Sequence, residues 1–174
     1  MSAEYLQSLI RDIPDVPQPG VIFRDITPLI GDAKGFDATV NAVVTMAHGR
    51  KIDKVIGIEA RGFILAAPVA FHLNAGFVPV RKAGKLPWAV VREEYSLEYG
   101  TDQLEIHRDA LAPGDSVVIV DDVLATGGTA AATIKLVEGL GATVAGLLFL
   151  IELEALGGRA LLSSHSVDSV IKYR

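Results

Sequence analysis

Residues 52–59, 76–80, 117–120 and 143–152 are short apolar runs rich in β-branched side chains, the composition of strands buried on both faces of a parallel sheet. Residues 167–173 fit an edge strand. Between these runs, apolar residues recur at helical spacing. Phe36, Val40, Val43, Val44 and Ala47 predict a helix over 36–48 that lays its apolar face on the sheet. Residues 63–73 predict a second helix containing Pro68, and Ala130, Ile134 and Val137 a third that ends at Leu140-Gly141. A shorter helix is expected over 154–162, weakened by Gly157-Gly158, and Tyr5, Leu6, Leu9 and Ile10 predict another before Pro14. Strands alternating with helices give an α/β domain with a mostly parallel sheet.

Two stretches break that rhythm. Residues 13–19 hold Pro14, Pro17 and Pro19, so they must run as an extended or turning connection, delivering residues 20–25 as a flap over the core. Residues 86–99 carry Pro87, Trp88, Glu93, Glu94, Tyr95 and Tyr99, and residues 101–107 then alternate like an antiparallel strand. The expectation is a mobile flap joined to a hairpin, of the kind that keeps water from a reaction.

Polar residues gather where the predicted strands end. The run at 117–120 stops at Asp121-Asp122, and Ala125-Thr126-Gly127-Gly128-Thr129 leads into the next helix. In open α/β sheets ligands bind at the carboxyl edge. Glycines that accept positive φ, threonine hydroxyls and the positive end of a helix dipole together make an anion cradle. The loop is neither G-x-x-x-x-G-K-[ST] nor G-x-G-x-x-G, so a Walker nucleotide site and a dinucleotide fingerprint are both absent. Two carboxylates beside a monophosphate-sized nest suit a sugar phosphate, whose hydroxyls they can accept. On spacing alone, acids that merely close a helix N-terminus remain the competing reading. Arg61 follows the run at 52–59, and Arg81, Lys82 and Lys85 follow the run at 76–80; a guanidinium forks onto phosphate oxygens, so these cations are candidates for a diphosphate.

Composition narrows the class. The 174 residues make one domain, and with half of them apolar the chain can bury a sizeable core. A net charge of -5 leaves no footprint for nucleic acid or an anionic membrane. The absence of cysteine excludes disulfides and thiolate chemistry, the N-terminal residues lack a secretory pattern, and no apolar run is long enough to span a bilayer, so a cytoplasmic location is expected. His107 and His165 have no partners at metal-ligand spacing and default to structural roles, and His48, near a helix end where the dipole favours it, is assigned no chemistry.

The segment Val117-Val118-Ile119-Val120-Asp121-Asp122-Val123-Leu124-Ala125-Thr126-Gly127-Gly128-Thr129 resembles the phosphoribosyl-pyrophosphate (PRPP) motif of type I phosphoribosyltransferases. Within that superfamily the chain is similar to the adenine-specific branch, through residues 19–29, Glu59-Ala60-Arg61-Gly62-Phe63, residues 80–87 and Tyr95-Ser96-Leu97-Glu98-Tyr99-Gly100. The resemblance implies a central, mostly parallel five-stranded sheet flanked by helices, an N-terminal hood over residues 1–35 and a flexible catalytic flap within 83–107. It implies that Asp121, Asp122, Ala125, Thr126, Gly127, Gly128 and Thr129 hold the ribose 5-phosphate. Glu59, Ala60, Arg61, Lys82 and Lys85 would face the pyrophosphate, and Ile22, Phe23 and Arg24 the adenine, with Phe23 stacking on the purine. Tyr95, Glu98 and Tyr99 would belong to the flap, with Glu98 managing the base proton. One departure is Trp88-Ala89-Val90, where many relatives carry smaller or polar residues; it bears on loop closure.

The activity so implied is purine salvage: PRPP and adenine give AMP and pyrophosphate through an oxocarbenium-like transition state. Asp121 and Asp122 would supply negative charge near the ribose, and Arg61, Lys82, Lys85 and Mg²⁺ positive charge on the leaving group. Mg²⁺ is expected mainly through substrate oxygens and water, so no residue is assigned as its ligand. A homodimer is implied as well. The rivals are a phosphoribosyltransferase for a 6-oxopurine and a non-catalytic PRPP-sensing regulator.

Overall fold

The computed structural model describes residues 2–96 and 101–174. In chain order its elements are α1 (Ala3–Ser8), β1 (Arg11–Pro14), β2 (Ile22–Asp25), α2 (Thr27–Gly31), α3 (Ala33–Met46), β3 (Lys54–Ile58), α4 (Arg61–His72), β4 (Gly76–Lys82), β5 (Val90–Ser96), β6 (Thr101–His107), β7 (Ser116–Leu124), α5 (Gly128–Gly139), β8 (Thr143–Leu153), α6 (Gly158–Leu161) and β9 (Val167–Tyr173). Seven strands form one sheet in the order β5-β6-β4-β3-β7-β8-β9. The five from β4 to β9 are mutually parallel and are the sheet the sequence implies. The β5–β6 hairpin adds two antiparallel strands at the β4 edge. A separate β1–β2 ribbon lies outside this sheet.

The period of a strand decides what each face buries. Along β7, Val117 and Ile119 join one apolar cluster with α5 residues Ile134, Leu136 and Val137. Val118 and Val120 point the other way, into a cluster with Val40 and Val43 of α3 and Leu65 and Val69 of α4. Val117, Val118, Ile119 and Val120 all have 0% exposure, so this part of the strand is covered by helices on both sides, as its apolar composition requires.

Several boundaries differ from the pattern-based reading for identifiable reasons. The helix expected from residue 36 begins at Ala33, because Asp32 accepts the Gly35 N–H at 2.7 Å and caps it. Strand β7 runs through Asp121 and Asp122 to Leu124, since backbone pairing with β8 continues past the acids to Glu152. The helix expected over 154–162 is split: a 3₁₀ turn over Glu154–Leu156 ends at Gly157, whose φ of 68° stops the helix before α6 starts. The long flap is largely a regular hairpin, with β5 and β6 paired from Val90↔His107 to Ser96↔Thr101. Period-two burial along β5 is blurred in the sequence by the adjacent Glu93 and Glu94.

The topology positions the site. From β3 the chain first adds β4 on one side and then, after the hairpin, places β7 on the other. The sheet order therefore reverses between β3 and β7, and such a switch point opens a crevice at the carboxyl ends of the strands. Glu59–Arg61 and Asp121–Asp122 are the residues found there.

Candidate active site

A cleft of about 460 Å³ lies at this switch point, lined by Phe23, Arg61, Lys82, Tyr95, Asp121 and Asp122 among others. It opens onto a smaller hollow of about 80 Å³ formed by residues 123–130 with Asp121 and Phe149. Gly127, at φ 86°, is the N-cap of α5, which turns the first amides of that helix toward the hollow. Of the two loop glycines only Gly127 uses positive φ. Gly128 is needed less strictly: a Cβ there would meet the Ser96 carbonyl oxygen at an ordinary 3.5 Å.

The acids are held tightly. Asp121 Oδ1 accepts the Asp122 N–H at 2.9 Å, and a Cβ on Gly62 would lie 2.7 Å from the same oxygen, so α4 begins directly over the carboxylate. Asp121 keeps partial access to the cleft although its carboxyl is deep in the protein. Burial pushes that carboxyl well above the usual range, and the neighbouring Asp122 charge adds to the shift. Asp122 is 5% exposed and forms an ion pair with Arg61, whose Nε is 2.8 Å from Oδ2. The pair lacks hydrogen-bond alignment, so this buried oxygen has acceptor capacity to spare.

The basic cluster is organised from beneath by Glu59. Its carboxylate accepts from Lys85 Nζ at 2.7 Å, the Lys82 N–H at 2.8 Å and Arg81 Nη2 at 3.1 Å. Glu59 lines the cleft, and its carboxylate anchors these cations. Lys82 Nζ sits 3.0 Å from Asp102, which raises its affinity for a proton. Tyr95 lies between this pair and the start of α5, with its hydroxyl 3.4 Å from Asp102 and with Thr129 beside it in the cleft lining.

The β2 segment also meets the cleft. Phe23 faces the Arg61 guanidinium at 5.1 Å from its ring centre. The Arg24 side chain turns away, stacking 4.0 Å over the Tyr173 ring and pairing with Asp12, so only its backbone is free to read a base. Ile22 is nearly half exposed. Leu153 and Leu156 close the far wall, residues that strand-end reasoning could have found because they follow the apolar run of β8. Asp102 and Glu105 were also missed. Glu105, 1% exposed, accepts from Gly84 N–H at 3.0 Å and pairs with Arg92, fixing the loop that carries Lys85. Alternation along β6 marks the strand but carries no sign that these acids serve the site. Glu98 and Tyr99 lie outside the described residues.

A phosphoribosyl transferase domain profile matches residues 38–171. Adenine phosphoribosyltransferase of Acidothermus cellulolyticus is 56% identical over 97% of this chain and 96% of its own length. The chain belongs to the adenine phosphoribosyltransferase family. The family member from Maricaulis maris is 55% identical, covering 97% of both chains. The crystal structure of adenine phosphoribosyltransferase from Thermoanaerobacter pseudethanolicus superposes with a TM-score of 0.97 at 50% identity, over 99% of this chain and 100% of that one. The Saccharomyces cerevisiae adenine phosphoribosyltransferase, complexed with an imino-altritol bisphosphate and adenine, gives 0.92 at 38% identity over 97% of each chain.

Two buried glutamates make the adenine phosphoribosyltransferase fold here acid-sensitive. Burial alone would raise Glu59, but Lys85, the Lys82 N–H and Arg81 outweigh it and hold the carboxyl at about 2. Glu152 is likewise held at about 2, chiefly by Arg159, against burial. A depressed carboxyl stabilises the fold above its unfolded value of 4.5, and that contribution is lost as pH falls toward 2. Glu152→Gln should therefore cost about 2–3 kcal/mol at pH 6 and progressively less below pH 4, a difference read from urea denaturation at several pH values.

Proposed function

We propose that this chain transfers the 5-phosphoribosyl group of PRPP to N9 of adenine, giving AMP and pyrophosphate. The observation that carries this reading is the continuity of an anion nest, paired aspartates and a basic cluster in one cleft. Similarity to adenine phosphoribosyltransferases selects the base, and the yeast relative's complex contains adenine.

The hollow at the start of α5 suits the 5′-phosphate, whose charge meets the amides of the first turn and the threonine hydroxyls. Asp121 and Asp122 accept the ribose hydroxyls. As the anomeric C–O bond breaks, its electron pair leaves with the diphosphate and positive charge grows on the sugar. The aspartates lie where that charge is stabilised, while Arg61, Lys82 and Lys85 exchange their carboxylate partners for the diphosphate oxygens. Adenine N9 closes on the opposite face of the anomeric carbon, with inversion, and its proton leaves toward Glu98. Phe23, Leu153 and Leu156 provide the apolar walls that hold a flat base and limit water.

Mg²⁺ is the cation expected with the diphosphate. Among the described residues no group of three acidic or histidine side chains forms a metal cage, yet the buried Asp122 Oδ2, ion-paired with Arg61, has no aligned hydrogen bond and lies beside Asp121. That donor set fits a hard cation taking most of its ligands from PRPP and water, with the aspartates as its nearest protein carboxylates. When bound it would supply charge neutralisation on the diphosphate. No described helix is long and apolar enough to cross a membrane. The reaction belongs in the cytoplasm, because phosphorylated substrates do not cross bilayers, and to a homodimer. Exposed Ile64 and Phe71, seven residues apart on α4, together with Phe77, offer apolar surface for a partner.

The test is a competition among adenine, hypoxanthine, guanine and xanthine with PRPP and Mg²⁺, following nucleotide by chromatography. Adenine should be the best acceptor by at least about 100-fold, since a site that pairs the exocyclic amine strands its polar groups against a 6-oxo base. Hypoxanthine as the best acceptor would overturn the choice of base. PRPP binding with no pyrophosphate released on adding adenine would overturn the activity in favour of a sensor.

A further inference from the structure

Gly158, at the start of α6, meets the phosphate loop backbone against backbone. A Cβ on Gly158 would overlap the Ala125 carbonyl oxygen and lie 2.9 Å from the Gly127 nitrogen. The contact is reciprocal, because a Cβ on Gly127 would lie 2.7 Å from the Gly158 carbonyl oxygen. Two chain segments approach this closely only where both residues lack a side chain.

The turn is also fixed from its far side. Arg159 Nε and Nη2 donate to the two Glu152 carboxylate oxygens at 2.8 and 2.6 Å, and Nη1 donates to the Val167 carbonyl at 2.6 Å. Glu152, 3% exposed, additionally accepts from Ser169 Oγ at 2.7 Å. One guanidinium thus ties α6 to both β8 and β9, and Gly158 has no room to retreat from the loop.

We propose that Gly158 is a positioning residue for PRPP, its backbone buttressing residues 125–127 so that the amides at the start of α5 keep converging on the 5′-phosphate. Arg159 holds that buttress in place. The inference rests on the phosphoribosyl-transfer reading and adds to it a segment far along the chain from the PRPP motif. An anion nest binds through the convergence of its N–H dipoles, so a shift of the loop by about 1 Å spreads them and costs affinity.

The neighbouring glycine supplies the control. Gly157 has φ 68° yet a Cβ there meets nothing within 4 Å. Gly157→Ala strains the same turn without touching the loop. PRPP and ribose 5-phosphate are titrated by calorimetry into wild type, Gly158→Ala, Gly157→Ala and Arg159→Ala, and initial rates are measured with PRPP and adenine each varied. Gly158→Ala should raise KM for PRPP and weaken ribose 5-phosphate by about 10- to 100-fold, with KM for adenine changed less than about threefold. Gly157→Ala should lower Tm while leaving the PRPP KM within about twofold, and Arg159→Ala should weaken PRPP by about fivefold.

Equal losses in the two glycine variants, or an equal rise in both substrate KM values, would overturn the proposal. If Gly158→Ala does not fold, Arg159→Ala decides, and an unchanged PRPP KM there overturns it. A wild type that makes no AMP removes the phosphoribosyl reading and this inference with it. An active wild type beside a Gly158→Ala protein of unaltered PRPP affinity removes this inference alone.

Discussion

Exchanging Asp121 and Asp122 together for asparagine should lower kcat for AMP formation by at least about 10³-fold, while PRPP still binds within about tenfold. Asparagine keeps carbonyl acceptors for the ribose hydroxyls, so the ground-state complex loses little. What it lacks is the negative charge that stabilises a cationic sugar, an interaction worth more in the transition state than before it. Asp121→Asn alone should be more stable than wild type at pH 7. Burial and its neighbour's charge raise the Asp121 carboxyl, so ionising it costs more in the folded state than in the unfolded chain. A group with a raised carboxyl value destabilises the fold as pH climbs above its unfolded value of 3.8, and a neutral amide removes that penalty. Scanning calorimetry on Asp121→Asn and steady-state rates on the double variant test the two expectations. Unchanged AMP synthesis would remove the charge-stabilisation mechanism.

Arg61→Ala should raise KM for PRPP by about 10²-fold and reduce kcat as well, because its guanidinium pairs with Asp122 and lies over Phe23 in the cleft. Its Nε lies 2.8 Å from Asp122 and its plane faces Phe23 at 5.1 Å. Truncation removes a fork for diphosphate oxygens and leaves the Asp122 oxygen buried without a cation. Because the Arg61 side chain is 42% exposed, the stability loss should stay near 1–2 kcal/mol. Arg61→Lys should recover only part of the PRPP affinity, since a point charge cannot reproduce planar, bidentate contact. Pyrophosphate inhibition measured on the three proteins separates binding from chemistry. An Arg61→Ala enzyme with wild-type PRPP and pyrophosphate constants would remove Arg61 from the leaving-group site.

The roles of the basic residues were only partly legible beforehand. Charge at strand ends identifies Arg61, Lys82 and Lys85, but not that Glu59 sits under Arg81 and Lys85 or that Asp102 holds Lys82. Those pairings join β3 to β4 and β4 to β6, and no local pattern encodes which acid meets which cation. The Arg24 side chain illustrates the same limit. The sequence assigns a base contact to the Arg24 backbone and leaves the side chain unplaced, and that side chain's partners Asp12 and Tyr173 come from opposite ends of the chain.

Local chemistry alone determined the βα alternation, the anion nest before α5 and the twin aspartates, because apolar periodicity, glycine freedom and helix dipoles act within a few residues. The adenine-family resemblance is written in the same short motifs. Only the tertiary structure decided that the hairpin widens the sheet to seven strands, that Asp122 faces Arg61 and that Gly158 abuts Gly127. These depend on packing between segments distant in sequence, where burial and close approach select one arrangement among many that the pattern permits.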